Sequence, residues 1–65
     1  MHIVVNGEER TIGPMTVLQF LASLEIDPQR VAVEHNLDIL PKDAYEATGL
    51  KEGDRLEIVH FVGGG

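Results

Sequence analysis

Residues 1–12 have the sequence MHIVVNGEERTI, and this stretch predicts a β-hairpin. The apolar, β-branched run that ends at Val5 is followed at once by Asn6-Gly7. This dipeptide is the strongest short signal for a hairpin turn, because both turn positions need a positive φ. The polar run over residues 8–12 then predicts a returning strand that lies at an edge of the sheet or is half exposed. The first two strands of the fold are therefore expected to be neighbours.

A short helix is predicted after the hairpin, beyond Gly13-Pro14. Thr16 and Gln19 have the spacing of a capping box, in which each side chain satisfies a free backbone N–H at the start of a helix. A helix this short is not stable alone, so we expect its apolar face to lie on a sheet. That face is predicted to contain Val17, Leu18, Leu21 and Leu24, with Phe20 at its margin.

The rest of the sequence predicts further strands and one crossing segment. Arg30 to His35 alternates as a strand does, and Arg55 to Val62 has the highest β-propensity in the chain. Between these two strands, Asn36 predicts a turn before a short strand at 39–40. Residues 41–48 predict a turn of α- or 3₁₀-helix, which we expect Tyr45 to anchor.

The order of these elements predicts an α+β domain with one layer of each kind. The first and last strands are expected to pair in parallel at the centre of a mixed sheet of four to five strands, with one main helix across one face. This arrangement is the β-grasp, or ubiquitin-like, fold. We expect the domain to span 1–62 and a flexible glycine tail to span 63–65. The predicted core comprises Ile3, Val5, Val31, Val33, Leu56 and Ile58 from the sheet, with Val17, Leu18, Leu21, Leu24 and Leu50 against them.

Composition narrows the classes of function. The 65 residues include eleven Asp plus Glu against five Lys plus Arg, a net charge of −6. Nucleic acids require a basic footprint and anionic membranes repel an acidic chain, so neither is an expected partner. The absence of cysteine excludes a disulfide framework and a thiol nucleophile and fits a cytoplasmic protein. A domain this small has little room for a catalytic cleft, so we expect a protein that is not an enzyme and acts through its surface or terminus.

The sequence ends with Val62-Gly63-Gly64-Gly65, directly after the last predicted strand. Glycine has no Cβ, so such a segment passes through a narrow channel and bends freely. Four extended residues would carry the last carboxylate about 13 Å beyond the folded body. This geometry would allow a partner enzyme to take the Gly65 carboxylate into its active site and activate it. The alternative is an inert end, such as a linker, and the tail by itself favours this alternative.

Three stretches, together with the terminal glycines, carry a resemblance to a known family. They are Val31-Ala32-Val33-Glu34-His35-Asn36, Leu40-Pro41 and Gly53-Asp54-Arg55-Leu56-Glu57-Ile58-Val59. In order and spacing they resemble ThiS, the ubiquitin-like sulfur carrier family of thiamine biosynthesis. The resemblance covers essentially the whole chain, including its Asn6-Gly7 hairpin.

The resemblance implies a protein substrate for other enzymes. A ThiF-like adenylating enzyme would use ATP to convert the Gly65 carboxylate into an acyl-adenylate. Sulfur that a cysteine desulfurase takes from cysteine would displace AMP, and the resulting thiocarboxylate would deliver sulfur to a ThiG-like thiazole synthase. Many members stop at two glycines; with three, Gly65 is the reacting residue, Gly64 its required neighbour and Gly63 a spacer. The carrier itself is expected to bind no cofactor and no metal.

The sheet face opposite the helix contains a candidate partner-binding patch. Strand alternation places Val4, Val59 and Phe61 on this face. Exposed apolar residues near a reactive tail are typical of a protein interface, and we expect these three, with Gly63 and Gly64, to contact the partner. The alternative is that they are ordinary scattered surface hydrophobics.

Histidines and acidic residues are weaker candidates. His2, His35 and His60 do not converge in the predicted sheet, so we expect no metal site. We interpret the dispersed acidic residues of the loops as a solvated surface or as helix caps: Asp38, Asp43, Glu46, Glu52 and Asp54.

Two other functions stay open at this point. The small subunit of molybdopterin synthase is also a ubiquitin-like sulfur carrier, and it would use the same tail chemistry with a different acceptor. A ubiquitin-like interaction module with inert glycines belongs to a different class. The length of the chain and its sequence over 33–36 and 53–59 favour the thiamine branch.

Overall fold

The computed structural model describes residues 1–61, and Val62 and the three predicted tail glycines lie outside them. Five strands, one α-helix and two 3₁₀ turns form along the described chain. They are β1 (His2–Val5), β2 (Glu8–Thr11), α1 (Val17–Ser23), a 3₁₀ turn at Pro28–Arg30, β3 (Val31–His35), β4 (Asp38–Leu40), a 3₁₀ turn at Lys42–Ala44, and β5 (Arg55–His60). The strand ends match the predicted ones or differ from them by one residue, except that β5 ends two residues earlier than predicted, and the helical turn within 41–48 is of the 3₁₀ type.

The five strands form one mixed sheet in the order β2-β1-β5-β3-β4. β1 and β5 pair in parallel at its centre, whereas the other neighbouring pairs are antiparallel. The predicted β-grasp architecture is thereby confirmed. β2 lies at one edge with all four of its residues exposed, as its polar sequence indicated.

The Asn6-Gly7 turn has the predicted geometry and an additional role. Val5 pairs with Glu8, so the loop contains two residues, whose φ angles are +49° and +83°. The Asn6 side chain also pairs with the backbone of β5: its Oδ1 accepts from Ile58 N at 2.7 Å and its Nδ2 donates to Ile58 O at 3.2 Å. This amide thus continues the pairing of β1 and β5 beyond the point where the chain turns away.

The capping box at the start of α1 is confirmed. Gln19 N donates to Thr16 Oγ1 at 3.1 Å, and Thr16 N donates to Gln19 Oε1 at 2.9 Å. The helix has only seven residues, too few for stability in isolation, so its packing on the sheet must hold it in place. No helix formed by residues 1–61 has the length and the apolar run needed to cross a membrane.

The core lies between α1 and one face of the sheet. All six predicted sheet residues are buried, and Tyr45 anchors the second 3₁₀ turn with 2% of its surface exposed. The placement of Phe20 at the margin was wrong, because α1 presents Val17, Phe20 and Leu21 to the sheet. Leu18 and Leu24 therefore pack against the rim of the core and are only partly buried.

Candidate functional site

The predicted reactive segment follows β5 in the sequence, after Phe61 and Val62. Gly63, Gly64 and Gly65 lie outside the described residues, so the site is built from Phe61, the last residue that the structure describes. Phe61 N donates to Arg30 O at 3.0 Å, which extends the antiparallel pairing of β5 with β3 by one bond beyond the Val31–His60 pair. We call Phe61, Arg30 and Lys42 the tail root.

Lys42 connects the tail root to the rest of the domain. Its Nζ donates to Val31 O at 2.5 Å and to Pro28 O at 3.3 Å. The same ammonium lies 5.1 Å from the ring centroid of Phe61 and 5.9 Å from that of Tyr45. Both distances are within the range of a cation–π interaction. No local pattern in the sequence marks Lys42, because only the fold brings its turn next to the end of β5.

The predicted partner-binding patch does not form as one surface. Val4 is half buried and pairs with Arg55, whereas Val59 lies four residues farther along β5, about 13 Å away. Placing Val4 beside Val59 and Phe61 was therefore wrong, since strand alternation predicts the face of a sheet but not the register of two strands. Val59 and Phe61 are 60% and 55% exposed near the tail. A partner-binding role for the three residues stays a prediction.

The exposure of two further apolar residues was not predicted from the sequence. Leu37 and Ile39, in and after the turn between β3 and β4, are 83% and 79% exposed. Ile39 pairs with Glu34 across the sheet, while Val59 pairs with Ala32, two residues along the same strand. On the face opposite the helix, three exposed apolar residues therefore form a row across neighbouring strands: Ile39, Ala32 and Val59. The apolar residues at the alternate positions 37 and 39 were the signal in the sequence from which this exposed row could have been predicted.

The opposite end of the β3–β5 pair contains a polar cluster around Asp54. Its carboxylate accepts from His35 Nε2 at 2.9 Å, from Asn36 Nδ2 at 3.1 Å and from Lys51 N at 2.9 Å. Asn36 Oδ1 in turn accepts from Arg55 N at 2.9 Å. We call this set the Asp54 network. Asp54 is 7% exposed, so the interpretation of this residue as part of a solvated surface was wrong.

Burial and hydrogen bonding act in opposite directions on Asp54. Burial raises the pKa of its carboxyl group, but the bonds from His35, from Asn36 and from the Lys51 amide together outweigh that effect and lower the pKa below its usual value. The network is about 13 Å from the tail root along the strands, because His35 pairs with Leu56 whereas Val31 pairs with His60. It therefore stabilises the fold and does not touch the reactive end.

The remaining histidines and carboxylates are dispersed. His2 and Glu52 form an exposed pair at 3.4 Å, and the hydrogen bond from the His2 backbone N–H lowers the pKa of Glu52. Among residues 1–61, no three His, Asp or Glu side chains are grouped as metal ligands would be.

Known proteins match this chain over nearly its full length. Residues 3–65 match the ThiS family. The chain is 44% identical over 50 residues to the sulfur carrier protein ThiS of Bacillus subtilis, which covers 77% of this chain and 76% of the relative. It is 50% identical over 66 residues to a thiazole synthase of Paramagnetospirillum magneticum, and this alignment covers all of the chain but 20% of the relative. The chain thus spans about a fifth of the length of that thiazole synthase.

A solved structure supports the same relationship. The crystal structure of the thiamine biosynthesis protein ThiS from Geobacter metallireducens superposes with a TM-score of 0.85 at 35% identity, over 100% of both chains. Its agreement with the fold, and the match that runs from Ile3 to the final glycine, lead to one conclusion. This chain belongs to the ThiS family.

Proposed function

We propose that this chain is a sulfur carrier for thiazole formation in thiamine biosynthesis. The observation that carries the proposal is the family match that continues through Gly65, so that it includes the glycines as well as the folded domain. The structure supports the proposal independently, because β5 ends at one end of the sheet and leads directly to Phe61, the last described residue before the tail.

The proposed chemistry takes place on the Gly65 carboxylate. A carboxylate is a poor electrophile, so an adenylating partner first converts it with ATP into an acyl-adenylate and releases pyrophosphate. The outer sulfur of a persulfide derived from cysteine then displaces AMP and forms an acyl disulfide. A second thiol reduces the S–S bond of that intermediate, which leaves an ordinary disulfide and releases the thiocarboxylate. This group keeps the sulfur nucleophilic and attached to a protein until the acceptor uses it. The carrier is a co-substrate in this scheme, and the catalytic groups belong to its partners.

Three partners follow from this chemistry. A ThiG-like thiazole synthase is the proposed acceptor, and it is supported by the Paramagnetospirillum magneticum thiazole synthase, part of which aligns with the whole of this chain. A ThiF-like enzyme would carry out the adenylation, and a cysteine desulfurase would supply the sulfur. The net charge of −6 favours association with basic surfaces on these proteins. We propose the cytoplasm as the place of reaction, because adenylation consumes ATP.

Intact-mass measurement tests the carrier function directly. The chain is incubated with a ThiF-like enzyme, ATP, a cysteine desulfurase and cysteine. We expect a gain of about 16 Da, because sulfur replaces one oxygen of the terminal carboxylate. A variant without Gly65 is the matched control and should keep its mass. An unchanged mass of the full chain, with partners that convert a ThiS protein of known activity, would contradict the proposal.

The acceptor requires a separate experiment. The thiocarboxylated chain is offered either to a thiazole synthase or to the large subunit of molybdopterin synthase, and loss of the added mass is followed in each mixture. Rapid loss with the thiazole synthase alone supports the thiamine pathway. Rapid loss with the other acceptor alone would assign the carrier to molybdopterin synthesis.

A further inference from the structure

We propose that Lys42 is a positioning residue for the C-terminal tail. Its ammonium group holds Phe61 against the domain and so fixes the point from which the tail leaves. The inference rests on the proposed function, because it concerns how the tail is presented to an adenylating partner. It adds a residue outside the tail to the machinery of sulfur transfer.

The contacts of Lys42 converge on the end of β5. Its Nζ bonds to the carbonyl groups of Val31 and Pro28, which lie on the strand and turn beside that end. The ring of Phe61 lies 5.1 Å from the same nitrogen. A single cation thus joins the start of β3, the turn before it and Phe61, the residue that follows β5.

Phe61 has little else to hold its side chain. The residue is 55% exposed and does not belong to the buried core. Its backbone makes one bond to Arg30 O, at the end of a strand, where chains fray readily. Without the Lys42 contact, we expect the Phe61 ring to leave the domain surface and Phe61 itself to become mobile.

An ordered starting point matters for the reaction because the partner must thread the tail into its active site. If Phe61 becomes mobile, it has to be ordered again when the partner binds, and this entropic cost weakens association. This entropic cost arises when the carrier binds, before the chemical step. Loss of the Lys42 contact should therefore raise KM for the carrier and leave kcat unchanged.

The experiment measures adenylation kinetics for four variants and a control. Lys42→Met keeps the apolar stem and removes the charge, Phe61→Leu removes the ring, and the third variant combines both. Lys51→Met makes the same change of charge at an exposed lysine far from the tail root. We expect Lys42→Met and Phe61→Leu each to raise KM about two- to fivefold, the size of one partly exposed cation–π contact. Lys51→Met should match the wild type, and Lys42→Arg should restore most of the wild-type KM.

The double variant distinguishes positioning from two independent effects. If Lys42 acts through Phe61, Lys42→Met combined with Phe61→Leu raises KM no more than the larger single change. Multiplied effects would overturn the proposal, as would a wild-type KM for Lys42→Met. If Lys42→Met melts at a lower temperature, NMR of the wild type and of Phe61→Leu replaces that variant. A ring-current shift of the Lys42 ε-protons in the native protein that is lost in Phe61→Leu shows that Lys42 contacts the Phe61 ring, and the absence of the shift would refute the contact.

The failure of this inference is separable from the failure of the proposed function. If the wild-type chain is never adenylated, the carrier function fails and the shift of the Lys42 protons alone reports on the contact. If the wild type reacts and the variants react equally well, the carrier function stands and the role of Lys42 is refuted.

Discussion

The two ends of the β3–β5 pair are built on the same strands and have opposite characters. At one end, the Asp54 network surrounds a buried carboxylate with donors from two side chains and a backbone amide. At the other end, Phe61 is half exposed, and within residues 1–61 it is held by a backbone bond to Arg30 and by the Lys42 ammonium. The Asp54 network thus lies at the end of the strand pair away from the tail root, after which the proposed reacting group follows in the chain. Changes at one end should affect stability, and changes at the other should affect transfer.

The largest expected effect separates transfer from stability at the reactive end. Gly64→Val adds a branched side chain next to the reacting residue, and we expect about a 100-fold slower gain of sulfur because the terminal carboxylate is misplaced in the partner's active site. The melting temperature should stay the same. Intact mass and a thermal melt measure the two outcomes.

Gly13→Val is the matched control for that change. A Cβ at Gly13 meets no atom within 4 Å, and the residue lies in the domain. Sulfur should be gained at the normal rate in this variant. Normal conversion of Gly64→Val would instead show that the neighbour of the reacting residue is not constrained.

The next effect concerns stability at the other end. Asp54→Ala removes a buried carboxylate that accepts three hydrogen bonds, from His35, Asn36 and the Lys51 amide, and hydrogen bonds to an ionised group are stronger than neutral ones. We expect a loss of about 2–3 kcal/mol in the free energy of unfolding. In a domain of this size this corresponds to a fall of about 10–20 °C in the melting temperature. Urea unfolding gives the first quantity and calorimetry the second.

The critical comparison for Asp54→Ala is its rate of thiocarboxylation against that of the wild type. At a temperature where the variant is still folded, its rate of thiocarboxylation should equal that of the wild type. A much slower rate in the folded variant would show that the two ends are coupled.

A pH titration is expected to show a smaller effect at the same place. The pKa of Asp54 is lower in the folded protein than in the unfolded chain, where it is about 3.9. The unfolded state therefore binds more protons in this range, and the stabilisation is complete above about pH 5 and is lost as the pH falls through the folded-state pKa. Urea unfolding of the wild type and of Asp54→Asn should show a difference that shrinks as the solution is acidified. A constant difference would contradict the role assigned to the ionised carboxylate.

The smallest expected effect is a gain in stability beside the Asp54 network. Leu37 has a φ of +75° at the second position of a two-residue turn, a conformation that an L-residue with a side chain adopts at a cost. Leu37→Gly should raise the free energy of unfolding by about 1 kcal/mol. Asn36→Gly, at the adjacent position with a φ of +52°, should lower it, because the Asn36 side chain belongs to the network. Chemical denaturation of the two variants tests this difference in sign.

Local signals in the sequence were sufficient for most of the fold. Asn6-Gly7 predicts its turn because the geometry of two residues decides it, and Thr16 with Gln19 predicts a helix start for the same reason. Alternation along β3 and β5 identified the buried face of the sheet. These features depend on neighbours in the chain.

The features that were missed depend on distant contacts. Asp54 is 19 positions from His35 and 18 from Asn36 in the chain, so its burial has no local signature. The separation of Val4 from Val59 follows from the parallel register of β1 and β5, which alternation does not encode. Phe20 faces the core because of the rotation of a two-turn helix on the sheet. In the candidate site, the glycines are visible in the sequence, whereas the contact of Lys42 with Phe61 requires the fold.

The Asn6 side chain has a consequence for how this molecule can meet another strand. Both the N–H and the C=O of Ile58 are occupied by one amide group, so this stretch of β5 offers no open edge. A foreign strand that is added alongside β5 on this side must begin its pairing beyond Ile58, close to the tail. The asparagine of a hairpin turn therefore protects the centre of the sheet against strand exchange and leaves the last residues before the glycines as the place where such pairing can start.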